Sequence, residues 1–232
     1  MFSASTNQIL ADFHLSNYRF WMQKEVFDVG LQQSGGLRSI VFVPFGLRNF
    51  TNSVKSIKVV NDVKGLTFRT LENAMSIQMV EYLGAHPVPL AGSEMYMAMQ
   101  QGVVDGHENA LTSIIQDLTF EVQNHLCLDA HFLGADCAML SDKWYSSLPS
   151  DLQDLVVTAI KDASKEADKS VDNILSNGLT FLKDYMEIYQ PTDAELEKWQ
   201  STVRAGCEDW MRNEVGSDLV DSMLAEIEKP RG

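Results

Sequence analysis

Apolar residues recur every three to four positions over much of this chain and gather elsewhere in short branched runs, a pattern that predicts helices joined by a few buried strands. Asn17 to Gln33 carries Phe20, Trp21, Val26, Phe27 and Leu31 at helical spacing and stops at Ser34-Gly35-Gly36. Leu37 to Phe45, closed by Gly46, reads as a buried strand, and Leu66 to Thr70, after the Lys64-Gly65 turn, as a second. Asn73 can cap a helix over Ala74 to Leu83 that Gly84 ends, and Ser93 one over Glu94 to Gln101 that Gly102 ends. Pro87-Val88-Pro89 between them must be extended. Val103 and Val104 form the next short apolar run. Strand, helix, strand, helix, strand is the alternation of a mainly parallel α/β sheet covered by helices.

Beyond this segment, Phe132 to Leu140 is a further candidate strand. From Ser150 to about Lys183, Leu152, Leu155, Val156, Ala159, Ile160 and Ala163 line one face of a long helix that Pro149 and Asp151 open and Gly178 weakens. Met186 to Tyr189 is a short strand. Thr192 with Glu195 makes a capping box for a helix containing Leu196, Trp199, Val203 and Trp210, and Asp218 to Glu228 is expected to form the last helix.

Composition narrows the function classes. The 232 residues are 45% hydrophobic and 22% charged, enough for one large domain or two lobes. A formal net charge of -14 disfavours phosphate backbones and anionic lipid surfaces, so nucleic acid is not an expected partner, and an anionic ligand would need a local positive pocket. Cys127, Cys137 and Cys207 are odd in number and unpaired by spacing, which reads as packing rather than a zinc site or disulfide framework. No stretch approaches about 18 uninterrupted apolar residues, and no basic start with an apolar core marks a secretory leader as written. No GxSxG, HExxH, P-loop or GxGxxG pattern is present, so no cofactor and no catalytic residue is expected.

On this reading Arg69 and the run Asp105-Gly106-His107-Glu108-Asn109 fall at carboxyl ends of strands, the edge where open α/β sheets hold ligands. A guanidinium fork and a nearby amide suit a small carboxylate. Glu72 would then steady the Arg69 fork. The same residues allow plainer roles: Arg69 could pair with Glu72 or Glu108, and Asn109 could cap a following helix. Asp105, His107 and Glu108 also invite a metal site or the active site of a hydrolase or lyase. Adjacent positions on an extended strand face opposite ways, which weighs against one metal ion. His125 and His131 read as packing or surface histidines.

The segments LRNFTNS, DVKGLTFRTLEN, LGAHPVPL, SEMYMAMQQGVVDGHEN, EVQNHL and LSDKWYSSLPSDLQ, in this order and spacing, resemble the solute-binding proteins of tripartite ATP-independent periplasmic (TRAP) transporters, the DctP-like family. The resemblance runs from about Asn17 to the carboxyl terminus. It implies a periplasmic-binding-protein-like α/β fold of two hinged lobes, here 1–38 with 131–232 and 39–130, that captures an organic acid outside the inner membrane and presents it to sodium-coupled membrane subunits. It implies that Arg69 grips the ligand carboxylate, that Asn109 contacts the ligand and that Arg48 lines the cleft. The chain departs from the pattern at His107 and Ala110, where glutamine and proline are usual, and at Gly92, where an aromatic ring would narrow the pocket. Against that pattern, a signal peptide and the amino-terminal half of the first lobe are expected to be missing. A fragment, a misplaced start or a degraded, non-functional remnant is therefore expected.

Overall fold

In the computed structural model, which describes residues 35–227, sixteen-residue β1 (Leu37–Asn52) opens the described chain. There follow β2 (Thr67–Thr70), α1 (Ala74–Tyr82), β3 (His86–Pro89), α2 (Gly92–Gln100), β4 (Gly106–Ala110) and α3 (Leu111–Gln116). The remainder comprises β5 (His125–Cys127), β6 (Phe132–Ser141), α4 (Asp142–Ser146), α5 (Ser150–Leu182), β7 (Glu187–Tyr189), α6 (Asp193–Val215) and α7 (Ser217–Ile227). The expected α/β class is observed. The helix expected over Asn17 to Gln33 lies outside the described residues.

The sheet runs in the order β3-β2-β4-β1-β5-β7, with β6 paired to β1. β2 is parallel to β3 and β4, and β5 to β7, whereas β1 is antiparallel to β4 and β5. The parallel pairing expected from the alternation is seen for β2 with β3 and β4, but β1 does not end at Gly46. It continues to Asn52 and inserts between β4 and β5, since Gly46 bends within the strand at φ 125° rather than closing it. Val103 and Val104 also differ from expectation. They form the bend after α2, and the polar run from Gly106 onward is itself the strand. A fully buried strand of Gly-His-Glu-Asn-Ala has no hydrophobic alternation to betray it.

Glycine is required at the start of β4. A Cβ at Gly106 would lie 2.0 Å from the Thr51 carbonyl oxygen of β1, so only glycine admits this strand pairing. Asp105 secures the same corner: its carboxylate accepts the Thr67 N–H at 2.7 Å, and its carbonyl accepts the Ser53 N–H at 2.9 Å.

Caps fix the helices. Asn73 accepts the Ser76 N–H at the head of α1, and Thr192 with Glu195 forms the expected capping box of α6. Ser93 does not cap; α2 starts at Gly92, two residues before the expected Glu94, with Ala91 in the cap position and no side-chain cap bond. The chain divides into two compact units, Met1–Phe45 with Ala135–Asn173 and Glu226–Gly232, and Gly46–Gly134 with Ile174–Ala225. In the first, Arg38 pairs with Asp142 at 2.7 Å and lies over the Tyr145 ring.

The second unit holds the main core, where Phe50 and Phe68 from the sheet meet Met79 and Val80 of α1, Leu83 just after it, and Trp199 and Val203 of α6. On α6, Gly206 lets the Tyr82 ring of α1 lie directly on the helix backbone, because a Cβ there would stand 2.3 Å from the ring. Gly206→Ala is expected to destabilise the protein by about 1–3 kcal/mol, the usual cost of overpacking. Two effects moderate this: Tyr82 is 49% exposed and can swing aside, and alanine gains up to about 1 kcal/mol of helix propensity over glycine. A urea midpoint raised by the substitution would show that the ring is not held there.

Candidate functional site

Strand register sorts the candidate residues into two groups. Arg69 of β2 is the Cα partner of His107 on β4, and Asn109 is two residues further along β4, so these three share one face of the sheet. Arg48 and Glu108, which alternate with Asn49 and Asn109, share the other, with Phe50. The structure thus brings Arg69, His107 and Asn109 together and places Arg48 behind them.

On the first face, Arg69 is 4% exposed and, among the described residues, its side chain is anchored by one bond, from Nε to the Leu90 carbonyl at 2.9 Å. That carbonyl lies just before the uncapped start of α2. Among the described residues no acidic side chain pairs with the guanidinium. Burial lowers its pKa, Glu108 counters that and Arg48 reinforces it. Glu72 is exposed and makes no hydrogen bond to Arg69, so the Leu90 carbonyl, not Glu72, fixes the fork. Asn109 is 7% exposed. Its Oδ1 accepts the N–H of Ala110, the residue in the cap position of α3, so it does not itself occupy that cap. A side chain added at Gly92 would meet nothing within 4 Å, which leaves the space at the head of α2 open.

The opposite face carries a buried row of alternating charges. Arg48 grips Glu108 with Nε on Oε2 and with Nη2 on Oε1 at 2.8 Å, and adds a bond from Nη2 to the Glu108 carbonyl at 2.7 Å. His131 Nε2 lies 3.4 Å from Glu108 Oε2, an ion-pair contact rather than an aligned hydrogen bond, and its Nδ1 contacts Asp129 Oδ2. The imidazole also stacks on Phe50 with centroids 4.4 Å apart. Ala130, between Asp129 and His131, adopts φ 50°, a left-handed conformation unusual for alanine. Two bonds hold this turn: Asn49 Oδ1 accepts the Ala130 N–H at 3.1 Å, and Asp129 Oδ1 accepts the Phe50 N–H at 3.0 Å. Beside Arg48 and Glu108 a cavity of about 20 Å³, with Leu71, Met75, Met79 and Phe132 in its wall, has room for one water.

Electrostatics follow from this geometry. Burial would raise the Glu108 carboxyl, but His131 and Arg48 outweigh it and hold its pKa down to about 2. Burial would lower His131, yet Asp129 and Glu108 lift it to about 9, so the ring is an imidazolium at neutral pH. His107 has no such carboxylate in contact: burial, reinforced by Arg48 and Arg69, pushes it down to about 3 despite the opposing influence of Glu108.

Asp129 and His131 carry no flag in the sequence beyond an Asp-x-His spacing, and His131 is no ordinary packing histidine. Nor do Asp105, His107 and Glu108 converge as a metal or catalytic cluster would. Asp105 is committed to the β2 backbone, Glu108 to Arg48, and His107 faces away from Glu108.

The model of the family described as bacterial extracellular solute-binding protein, family 7, matches residues 17–213. A solute-binding protein of Verminephrobacter eiseniae is 30% identical over 176 residues, 70% of this chain and 52% of its own. The C4-dicarboxylate-binding periplasmic protein DctP of Vibrio cholerae is 24% identical over 195 residues, 84% of this chain and 58% of its own. The chain therefore spans about half the length of the curated relatives it matches. The crystal structure of a TRAP periplasmic solute-binding protein from Bordetella bronchispeptica, whose ligand density was taken as pantoate, superposes with a TM-score of 0.78 at 26% identity, covering 91% of this chain and 69% of that one.

Proposed function

Because this chain belongs to the family 7 bacterial extracellular solute-binding proteins, we propose that it is the periplasmic solute-binding subunit of a TRAP transporter. In this reading it holds a small organic acid by its carboxylate at Arg69 and hands it to sodium-coupled membrane subunits. One observation carries the proposal: a buried guanidinium, anchored through Nε alone, with no acidic partner among the described residues. A buried charge is ordinarily paired, and an external carboxylate would complete this one. The free N–H groups at the head of α2 begin next to Leu90, whose carbonyl holds Arg69, and favour the same negative charge. Asn109 supplies an orienting amide, and the open space at Gly92 leaves room for the rest of the acid. The names of similar proteins agree in chemistry, a C4-dicarboxylate for the Vibrio protein and pantoate for the Bordetella structure. Arg48 belongs to the site as backing: its grip on Glu108 sets the strand from which Asn109 and His107 project.

The test is binding of a panel of small organic acids, followed by calorimetry and by the shift in melting temperature. A ligand at about a hundred times its dissociation constant adds roughly 2.7 kcal/mol of stability. Arg69→Ala is expected to weaken binding by on the order of 2–5 kcal/mol, because the ligand carboxylate is then desolvated without a partner. Arg69→Lys is expected to fail as well, since a point charge does not reproduce the planar fork. An alanine variant with wild-type affinity would remove Arg69 from the site.

A further inference from the structure

We propose that His107 selects the class of acid, favouring carboxylates that carry a hydroxyl or oxo oxygen on the carbon next to the carboxyl group. The inference rests on the carboxylate reading of Arg69. His107 is fully buried, and among the described residues neither ring nitrogen has a hydrogen-bond partner. Buried polar groups in folded proteins are nearly always paired, so an imidazole with both nitrogens open calls for a partner from outside the chain. The Thr51 hydroxyl on the cross-strand partner of His107 is engaged elsewhere, with the His107 carbonyl and with Gln123.

Its position says where that partner sits. Arg69 and His107 are direct partners of the parallel β2–β4 pair, so their side chains stand next to each other on one face, about 4.8 Å apart at the backbone. Asn109 follows two residues along the same face. A carboxylate on the Arg69 fork therefore brings its neighbouring carbon over the imidazole.

The chemistry of the ring then defines the substituent. Buried next to the Arg69 guanidinium, with Arg48 behind the strand, the imidazole is held uncharged at neutral pH, so it offers one N–H donor and one lone pair and no charge for a second carboxylate. A methylene above it leaves both nitrogens unpaired. An oxo oxygen accepts the N–H, and a hydroxyl either accepts it or donates to the lone pair. Sites built to hydrogen-bond a ligand oxygen discriminate strongly against the analogue that lacks it.

Calorimetric titration with two matched series, succinate, malate and oxaloacetate, and butyrate, 2-hydroxybutyrate and 2-oxobutyrate, tests this. In at least one series an oxygenated acid is expected to bind about 10-fold or more tightly than its parent. His107→Leu is expected to collapse that ratio, whereas His107→Gln, which keeps a donor and an acceptor, retains part of it. Equal affinities within both series, or a preference that survives His107→Leu, would overturn the assignment of His107 and leave the carboxylate reading standing. Should the leucine variant not fold, the wild-type ratios decide: their absence overturns the assignment, and their presence together with partial retention in His107→Gln supports it. Binding of none of the six acids would overturn both.

Discussion

Replacing Glu108 with alanine is expected to cost about 3–5 kcal/mol of folding stability, the penalty of stranding a buried charge, and to lower the melting temperature by roughly 10 °C. The side chain is 2% exposed and lies between two cations, Arg48 and His131. Its removal takes the two carboxylate bonds from the Arg48 guanidinium inside the protein, while the backbone carbonyl of residue 108 still accepts from Nη2. Glu108→Gln keeps an acceptor of the same shape and is expected to cost less, because the attraction is lost but some hydrogen bonding survives. The double variant Arg48→Met/Glu108→Leu should recover much of the loss, since apolar residues of similar size often replace a buried ion pair without penalty. Chemical denaturation of the four proteins gives the answer. A loss below about 1 kcal/mol in Glu108→Ala would mean that the pair is hydrated and works like a surface salt bridge.

The prominence of this pair explains why the sequence revealed some parts of the molecule and hid others. Helices with long apolar periodicity or a capping signal appear where expected: α5 runs Ser150–Leu182 against an expected Ser150 to about Lys183, and α6 starts behind the expected Thr192–Glu195 capping box. Caps and periodicity are local, and a local signal survives in a single sequence. The polar strand β4 is fixed instead by contacts over fifty or more residues, the Gly106–Thr51 approach and the Arg48–Glu108 bonds. Nothing within the segment announces these, so it resembles a loop when read alone. The same holds at the candidate site. Arg69 stood out as an arginine at a strand end, but its support, the Leu90 carbonyl, is a backbone atom that no pattern of side chains can indicate. Glu108 was legible as an acid near an arginine, yet which arginine it takes is decided by strand register: Arg48 shares its face and Arg69 does not.

Stability should pass through a maximum near pH 6.5, with the two sides of the curve owned by different histidines. His131 is raised from 6.5 to about 9 in the folded protein. The folded state therefore binds a proton that the unfolded state has released between those values, so its contribution is complete below about pH 6.5 and is lost as pH rises through 9. That loss is on the order of 3 kcal/mol. His107 is displaced the other way, from 6.5 to about 3. Below about pH 6.5 the unfolded chain takes up a proton that the folded ring refuses, and stability falls as pH drops toward 3. Glu108, lowered from 4.5 to about 2, steepens the acid side further: its contribution is present above 4.5 and disappears as pH falls through 2. Urea denaturation from pH 3.5 to 9.5 should show both limbs. His131→Asn is expected to flatten the alkaline limb and, by withdrawing one of the cations that hold Glu108 down, to reduce the Glu108 contribution on the acid side; His107→Gln is expected to flatten the part of the acid limb between about 6.5 and 3. A wild-type curve that is flat from pH 6.5 to 9 would mean that His131 is neutral in the folded protein and that the row of alternating charges is broken at that ring.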